Sequence, residues 1–159
     1  MKHHVFSTPL GDMLACESDT GLCGLYFLPQ KHGKMPEPAR QVRSPLLDAV
    51  EAQMQAYFAG TLKVFDVPLA PVGTDFQQTV WQALLALPYG QTISYQQLAD
   101  RLGKPSATRA VANAVGRNPV SIIIPCHRII GSNGKLTGYA GGVDKKAWML
   151  DMERGDSLF

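Results

Sequence analysis

Residues 124–130, Ile-Pro-Cys-His-Arg-Ile-Ile, set a thiol, an imidazole and a guanidinium side by side in an apolar stretch. A cysteine reacts as its thiolate, and a neighbouring base or cation lowers the pKa that controls its reactivity. Cys126 is therefore a candidate nucleophile and His127 its candidate base. Neighbours on an extended strand point to opposite faces, so the two cooperate only if the backbone turns sharply or a water bridges them. Pro125 and a turn after it would allow that. For an isolated Cys-His dipeptide, a buried structural cysteine beside a satisfied core histidine is the commoner arrangement. The surrounding elements decide the matter.

Upstream, Thr74 is a plausible cap for a helix over "DFQQTVWQALLALP", with Phe76, Val80, Trp81, Leu84 and Leu85 expected inward. Ser94 and Gln97 form a capping-box pattern opening "SYQQLADRL", which Gly103 closes. "GKPS" then leads into "ATRAVANAV", ending at Gly116. Two short helices joined by a tight glycine-containing turn have the form of a helix-turn-helix. "PVSIIIP" is a β-branched run between prolines and reads as a short buried strand or extended segment. "GSNGKLTGYAGG" has five glycines in twelve residues and must be a loop. "VDKKAWMLDMERG" has helical periodicity, with Glu153 near its end and Gly155 at the C′ position.

The first half reads differently. Residues 3–28 break into short strands at "PLGD" and "SDTG" and suggest an antiparallel meander. A polar, Gly- and Pro-rich loop follows. Then Ser44 as cap, Pro45 at the first helical position and Gly60 at the end frame a helix with Leu46, Leu47, Val50, Met54, Tyr57 and Phe58 on one face. "KVFDVPL" suggests another strand, and "APVGT" (70–74) a domain boundary. The expected fold is α+β. Residues 1–72 form a small antiparallel sheet with a helix, and residues 73–159 form a mostly helical domain.

Composition bounds the class. The chain has 159 residues, 45% hydrophobic and 18% charged, which suits a soluble globular protein of one large or two small domains. No apolar run approaches the roughly 20 residues a membrane helix needs, and "MKHHVFSTPLGDML" lacks the apolar core of a signal peptide. A cytoplasmic protein is expected. Three cysteines without regular spacing argue against a disulfide framework. Cys16 and Cys23, with His3, His4 and His32, lack the close-paired spacing of a structural zinc site and read as small hydrophobes on strands. Residues 1–72 carry 6 Lys and Arg against 7 Asp and Glu, whereas residues 73–159 carry 9 against 6. This is a weak pointer to an anionic partner for the second half.

Taken together, these motifs resemble the family of DNA repair alkyltransferases that remove alkyl groups from O6 of guanine, the methylated-DNA–protein-cysteine methyltransferases of bacterial type. Pro125-Cys126-His127-Arg128-Ile129 is similar to the family's signature. Arg109-Ala110-Val111, Asn118-Pro119 and Gly138-Tyr139 fall in register with it, and "TPLG" and "AYFAG" extend the likeness into the first half. The resemblance implies a ribonuclease-H-like first domain and a winged-helix-like second one. It implies that Cys126 attacks the alkyl carbon, that His127 takes the thiol proton through a water, and that Glu153 holds the far imidazole nitrogen. Tyr95 would supply a proton to guanine N3. Asn118 would tie the helical motif to the active-site segment. Leu136, Tyr139 and Ala140 would line the guanine pocket.

The same resemblance implies that the second helix of the motif enters the minor groove of double-stranded DNA. Arg109 would fill the place of the rotated base, and Tyr95, Gln96, Lys104 and Ser132 would contact phosphate or sugar. Ala112 and Asn113 stand where members of the family usually carry a glycine first, which puts an extra methyl group on that helix. No zinc-ligand set of the kind some relatives carry is present in the first half, and no metal or organic cofactor is implied. A monomer in solution is expected, assembling cooperatively on DNA. O4 of thymine is a second possible target. Three other readings compete. A non-catalytic lesion-binding relative would lack Cys126, a helix-turn-helix regulator would need more base-reading side chains, and a cysteine hydrolase would need a second histidine or an oxyanion hole.

Overall fold

The structure, a computed structural model, describes residues 1–28, 42–136, 138, 139 and 141–155. The chain divides into two compact units, Met1–Val72 and Gly73–Phe159. No helix among the described residues is long and apolar enough to cross a membrane.

In the first unit, β1 (Lys2–Thr8), β2 (Gly11–Ser18) and β3 (Gly21–Phe27) form an antiparallel meander in the order β1-β2-β3. A β-bulge at Cys16/Glu17 shifts the β2–β3 register, so that Cys16 pairs with Gly24 and Glu17 with Leu22. Helix α1 (Pro45–Phe58) starts as its sequence requires: the Ser44 hydroxyl accepts from Leu47 N–H and Pro45 occupies the first turn. It packs on the sheet through Leu47, Val50, Met54, Tyr57 and Phe58, while Leu46 is only half-buried. Met13, Leu14, Ala15, Leu22 and Leu25 complete the core.

The strand expected over "KVFDVPL" is reduced to a single parallel bridge, Leu22 to Leu69. Leu22 N–H donates to Pro68 C=O at 2.9 Å and Ala70 N–H to Leu22 C=O at 2.8 Å. Pro68 has no N–H to extend the ladder, so the pairing stops there.

In the second unit, α2 (Asp75–Leu85) and α3 (Tyr95–Arg101) both begin with reciprocal capping boxes, Thr74 with Gln77 and Ser94 with Gln97. Val80, Trp81 and Leu84 are buried, whereas Leu85, at the end of α2, is 38% exposed. Helix α4 (Thr108–Gly116) packs against both α2 and α3, and Trp81 Nε1 donates to Ala114 C=O at 2.9 Å across the α2–α4 contact. β4 (Ile93–Ser94) pairs in parallel with β5 (Ile129–Ile130). Helix α5 (Val143–Arg154) ends at Gly155, in the left-handed conformation that a C′ glycine adopts most easily.

The run "PVSIIIP" is not a strand. Ser121 bridges only to Ile124, Ile123 N–H donates to Ser121 C=O, and Ile122 sits at φ +73°. A β-branched residue there costs about 1–2 kcal/mol. Burial offsets it, since Val120, Ile122 and Ile124 are at most 1% exposed. The turn folds the chain back just before Cys126.

Both tryptophans lie in the second unit, so fluorescence-detected urea unfolding reports on it. Ser94→Ala removes the hydroxyl that caps α3 and is expected to lower stability by about 1 kcal/mol, while Ser94→Asp keeps it near wild type. An unchanged midpoint for Ser94→Ala would show that the cap does not hold α3.

Candidate active site

Cys126, His127 and Arg128 form one turn of 3₁₀ helix. Cys126 N–H donates to Ile124 C=O at 2.8 Å and Arg128 N–H to Pro125 C=O at 3.0 Å. The segment thus has the sharp turn that cooperation between neighbouring residues requires, where a strand would have separated them. Cys126 is partly exposed, whereas His127 and Arg128 are buried.

Glu153 approaches from the last turn of α5, and its carboxylate is the hub of the site. Oε2 accepts from His127 Nε2 at 2.6 Å and from Arg128 Nη2 at 3.2 Å. Oε1 accepts from Arg128 Nε at 2.8 Å and from Gly90 N–H at 3.3 Å. Arg128 Nη1 reaches Leu87 C=O at 2.8 Å, and the Tyr89 ring lies 5.7 Å from the guanidinium carbon. Gly90 sits at φ +85°, and a Cβ there would stand 3.1 Å from Glu153 C=O, so this close approach needs glycine. A carboxylate near a helix C-terminus opposes the helix dipole. The two-pronged pairing with Arg128 outweighs that opposition.

Because Glu153 is ionised, His127 donates through Nε2. In the neutral ring Nδ1 is then the acceptor. Burial pushes His127 below its ordinary pKa; Glu153 opposes this, while Arg128 and Lys146 add to it. Burial pushes the Cys126 thiol up, against the hydrogen bond from Asn118 and the charge of Lys146. Burial would also raise Glu153, but its bonds to His127 and Arg128 prevail and bring it down to about 2. His127 lowers it most, and Arg128 adds a charge that does not depend on pH. The resting site is therefore thiol, neutral imidazole and carboxylate, not the preformed thiolate that a cysteine beside a base suggests.

Asn118 follows α4 directly. Its Nδ2 donates to Ile124 C=O at 2.8 Å and its Oδ1 accepts from Val120 N–H at 2.9 Å, which braces the turn leading to Cys126. Val115, Asn118, Ser121, Cys126, Gly138 and Tyr139 line a cleft of about 20 Å³. That volume holds about one water. Burial pushes the Tyr139 phenol well above its ordinary pKa; Cys126 adds to the shift and Ser121 eases it.

The structure thus brings Cys126, His127, Glu153, Asn118 and Tyr139 together. Leu136 is half-buried and is not among the residues lining the cleft, and Ala140 lies outside the described residues. Tyr95 is half-buried at the start of α3 and is not among the residues lining the cleft. Arg109 is exposed in the first turn of α4, Lys104 in the turn before it and Ser132 in the glycine-rich loop, while Ala112 is half-buried. The Gln96 amide is spent inside the motif, donating to Asp100 Oδ1 and Pro105 C=O and accepting from Thr108 Oγ1.

Two residues without a role in the sequence reading matter here. Arg128 was visible in the signature, and a buried glutamate needs a cation, so that pairing was open to inference. Lys146 is wholly buried on α5 with Nζ donating to Ile129 C=O at 2.6 Å. A lysine in a polar helix carries no signal of burial.

Glu153 titrates lower folded than unfolded, so the stability it contributes is complete above about pH 4.5 and is lost as pH falls towards 2. Arg128→Met leaves a buried carboxylate without its cation, which is expected to cost about 3–5 kcal/mol and to move acid unfolding to higher pH. Arg128→Lys keeps the charge without the fork and is expected to fall between. Circular dichroism against pH checks both, and an unmoved acid transition in Arg128→Met would contradict the pairing.

Residues 1–71 match the family described as 6-O-methylguanine DNA methyltransferase, ribonuclease-like domain, and residues 75–155 match its DNA binding domain. The methylated-DNA–protein-cysteine methyltransferase of Methanosarcina acetivorans is 46% identical over 154 residues, covering 96% of this chain and 98% of that one. The Mycobacterium tuberculosis protein of the same name is 45% identical over 155 residues, covering 96% and 92%. The crystal structure of Mycobacterium tuberculosis OGT in complex with DNA aligns with TM-score 0.87 at 42% identity, covering 98% of this chain and 94% of that one. With both halves matched and such relatives spanning nearly its whole length, the chain belongs to the 6-O-methylguanine DNA methyltransferase family.

Proposed function

We propose that the protein repairs DNA by transferring an alkyl group from O6 of guanine in the duplex to Sγ of Cys126. The observation that carries this reading is the partly exposed Cys126 at a cleft, with His127 beside it in the same 3₁₀ turn and bonded to the buried Glu153 of α5. A non-catalytic lesion binder has no use for that arrangement.

In this reading the thiol stays protonated until substrate arrives. His127 Nδ1 then accepts its proton through a water, and Glu153 stabilises the imidazolium that results. Sulfur attacks the alkyl carbon in line, the S–C bond forms as the C–O bond breaks, and the electron pair passes to the guanine ring. A proton from Tyr95 to N3 would neutralise the leaving base, which requires the base to meet α3. Asn118 holds the turn that presents the thiol, and Tyr139, with Leu136 and Ala140 of the same loop, would line the opened pocket.

The target atom is stacked inside the duplex, so the nucleotide must be rotated out. The exposed face of α4 bears Arg109 and small residues, which suits close approach to a minor groove, with Arg109 filling the vacated place. Lys104 and Ser132 are exposed for phosphate contacts that carry no sequence code. Gln96 suits that role less well, because its amide is already engaged. We assign the same chemistry to O4-alkylthymine, residues 73–159 to DNA binding and transfer, and the cytoplasm as the compartment. The working unit is one chain, with neighbours adding along DNA.

A thioether at Cys126 has no thiolate, and nothing in the site would cleave it. With excess O6-methylguanine duplex, product is expected to plateau at about one equivalent per protein. Continued formation without added thiol would refute a stoichiometric reaction. Cys126→Ser is expected to abolish transfer with DNA binding retained, while Cys16→Ser and Cys23→Ser transfer as wild type. Arg109→Ala is expected to slow repair of duplex far more than reaction with free O6-benzylguanine, which needs no extrusion. Equal losses on both substrates would give Arg109 another role.

A further inference from the structure

Cys16 and Cys23 lie in the first unit and are not among the residues lining the cleft at Cys126. The Met1 thioether stands 3.5 Å from Cys16 Sγ and 3.5 Å from Cys23 Sγ, and the two thiols also interact with each other. Three sulfurs therefore converge, from Met1 just before β1 and from β2 and β3. The β-bulge at Cys16/Glu17 produces this arrangement: it leaves Cys23 as the extra residue and sets Gly24 opposite Cys16. A Cβ on Gly24 would stand 3.2 Å from Cys16 Cβ, so the glycine leaves open the space in which the thiols meet. Cys23 Sγ also reaches Cys16 C=O at 3.3 Å. All three side chains retain solvent access, Met1 most of all at 78% exposed.

His3 stands across the strands from this cluster but does not join it in a group of three His and Cys side chains. His3 is the register partner of Cys16 across β1 and β2, so the two side chains share a face.

We infer that this cluster is a binding site for a soft monovalent d¹⁰ cation, Cu(I) by preference, held by Cys16, Cys23 and Met1. Thiolate and thioether donors together favour a soft ion, and a thioether contributes little to zinc. Among the described residues, no three His, Cys, Asp or Glu side chains gather as a harder or borderline ion would need. Binding converts both thiols to thiolates and releases two protons, while Met1 donates as a neutral ligand, so the filled site carries one net negative charge. No electron transfer is involved.

The test is an anaerobic titration of the reduced, metal-free full chain with Cu(I) held by a chromophoric competitor. One tightly bound equivalent is expected in wild type and in Cys126→Ser, and none in Cys16→Ser or Cys23→Ser. Unchanged circular dichroism and alkyl transfer in these two variants would show that the loss is not unfolding. Should Cys16→Ser fail to fold, Cys23→Ser, at the bulge and half-exposed, carries the same comparison. X-ray absorption of the loaded protein is expected to give a first shell dominated by sulfur. Retention of the equivalent in Cys16→Ser and Cys23→Ser, its loss in Cys126→Ser, or uptake of Zn(II) ahead of Cu(I) would each overturn the assignment.

Discussion

The second unit is organised around one buried carboxylate. Glu153 sits where the helix dipole disfavours it and where water cannot solvate it, yet each of its oxygens accepts two hydrogen bonds. An ion so placed is tolerable only with a permanent opposite charge and near-complete hydrogen bonding. Arg128 supplies the charge, Gly90 a backbone donor, and His127 is fixed as a consequence. The 3₁₀ turn, the Gly90 approach and the C-terminal turn of α5 therefore stand or fall together.

This arrangement divides labour between two cations and a base. Arg128 keeps Glu153 ionised, so His127 is not required to be protonated for the carboxylate to survive burial. At the same time Arg128 and Lys146 disfavour a second positive charge on the imidazole, and burial disfavours it further. Burial likewise favours the neutral thiol over the thiolate. Charge separation within the dyad is thus held back in the free protein. The single-use role proposed for Cys126 would gain from this restraint, because a standing thiolate would react with passing electrophiles and oxidants. Filling the cleft would remove water from Cys126 and bring the reacting carbon to it in the same event.

Much of this was legible in the sequence where a local rule has a local cause. Ser94 with Gln97, Thr74 with Gln77, Ser44 before Pro45 and Gly155 after α5 each announce a helix end through hydrogen bonds made within a few residues. "PVSIIIP" and "KVFDVPL" misled because β-branched composition reports burial as readily as strand pairing. Ile122 adopts a left-handed turn since its side chain is better buried there than straightened, and Pro68 halts the ladder that Leu69 begins. Within the site, Cys126 and His127 were candidates by residue type, while Glu153 entered only through the likeness to the alkyltransferase family. The raised thiol was not legible, since desolvation depends on what the whole unit packs around it. Lys146 shows the same limit, as its burial on α5 follows from contacts distant in sequence.

The account rests most heavily on the charge state of Cys126 before substrate binds. Thiolate ultraviolet absorption, taken as the difference between wild type and Cys126→Ser across a pH titration of the free protein, reads that state directly. Cys126 is expected to contribute no thiolate signal at neutral pH, with absorption rising only above the ordinary cysteine value of about 8.5. A Cys126 thiolate that persists below about pH 7 would contradict the claim that burial, rather than the adjacent imidazole, sets the resting state of the nucleophile.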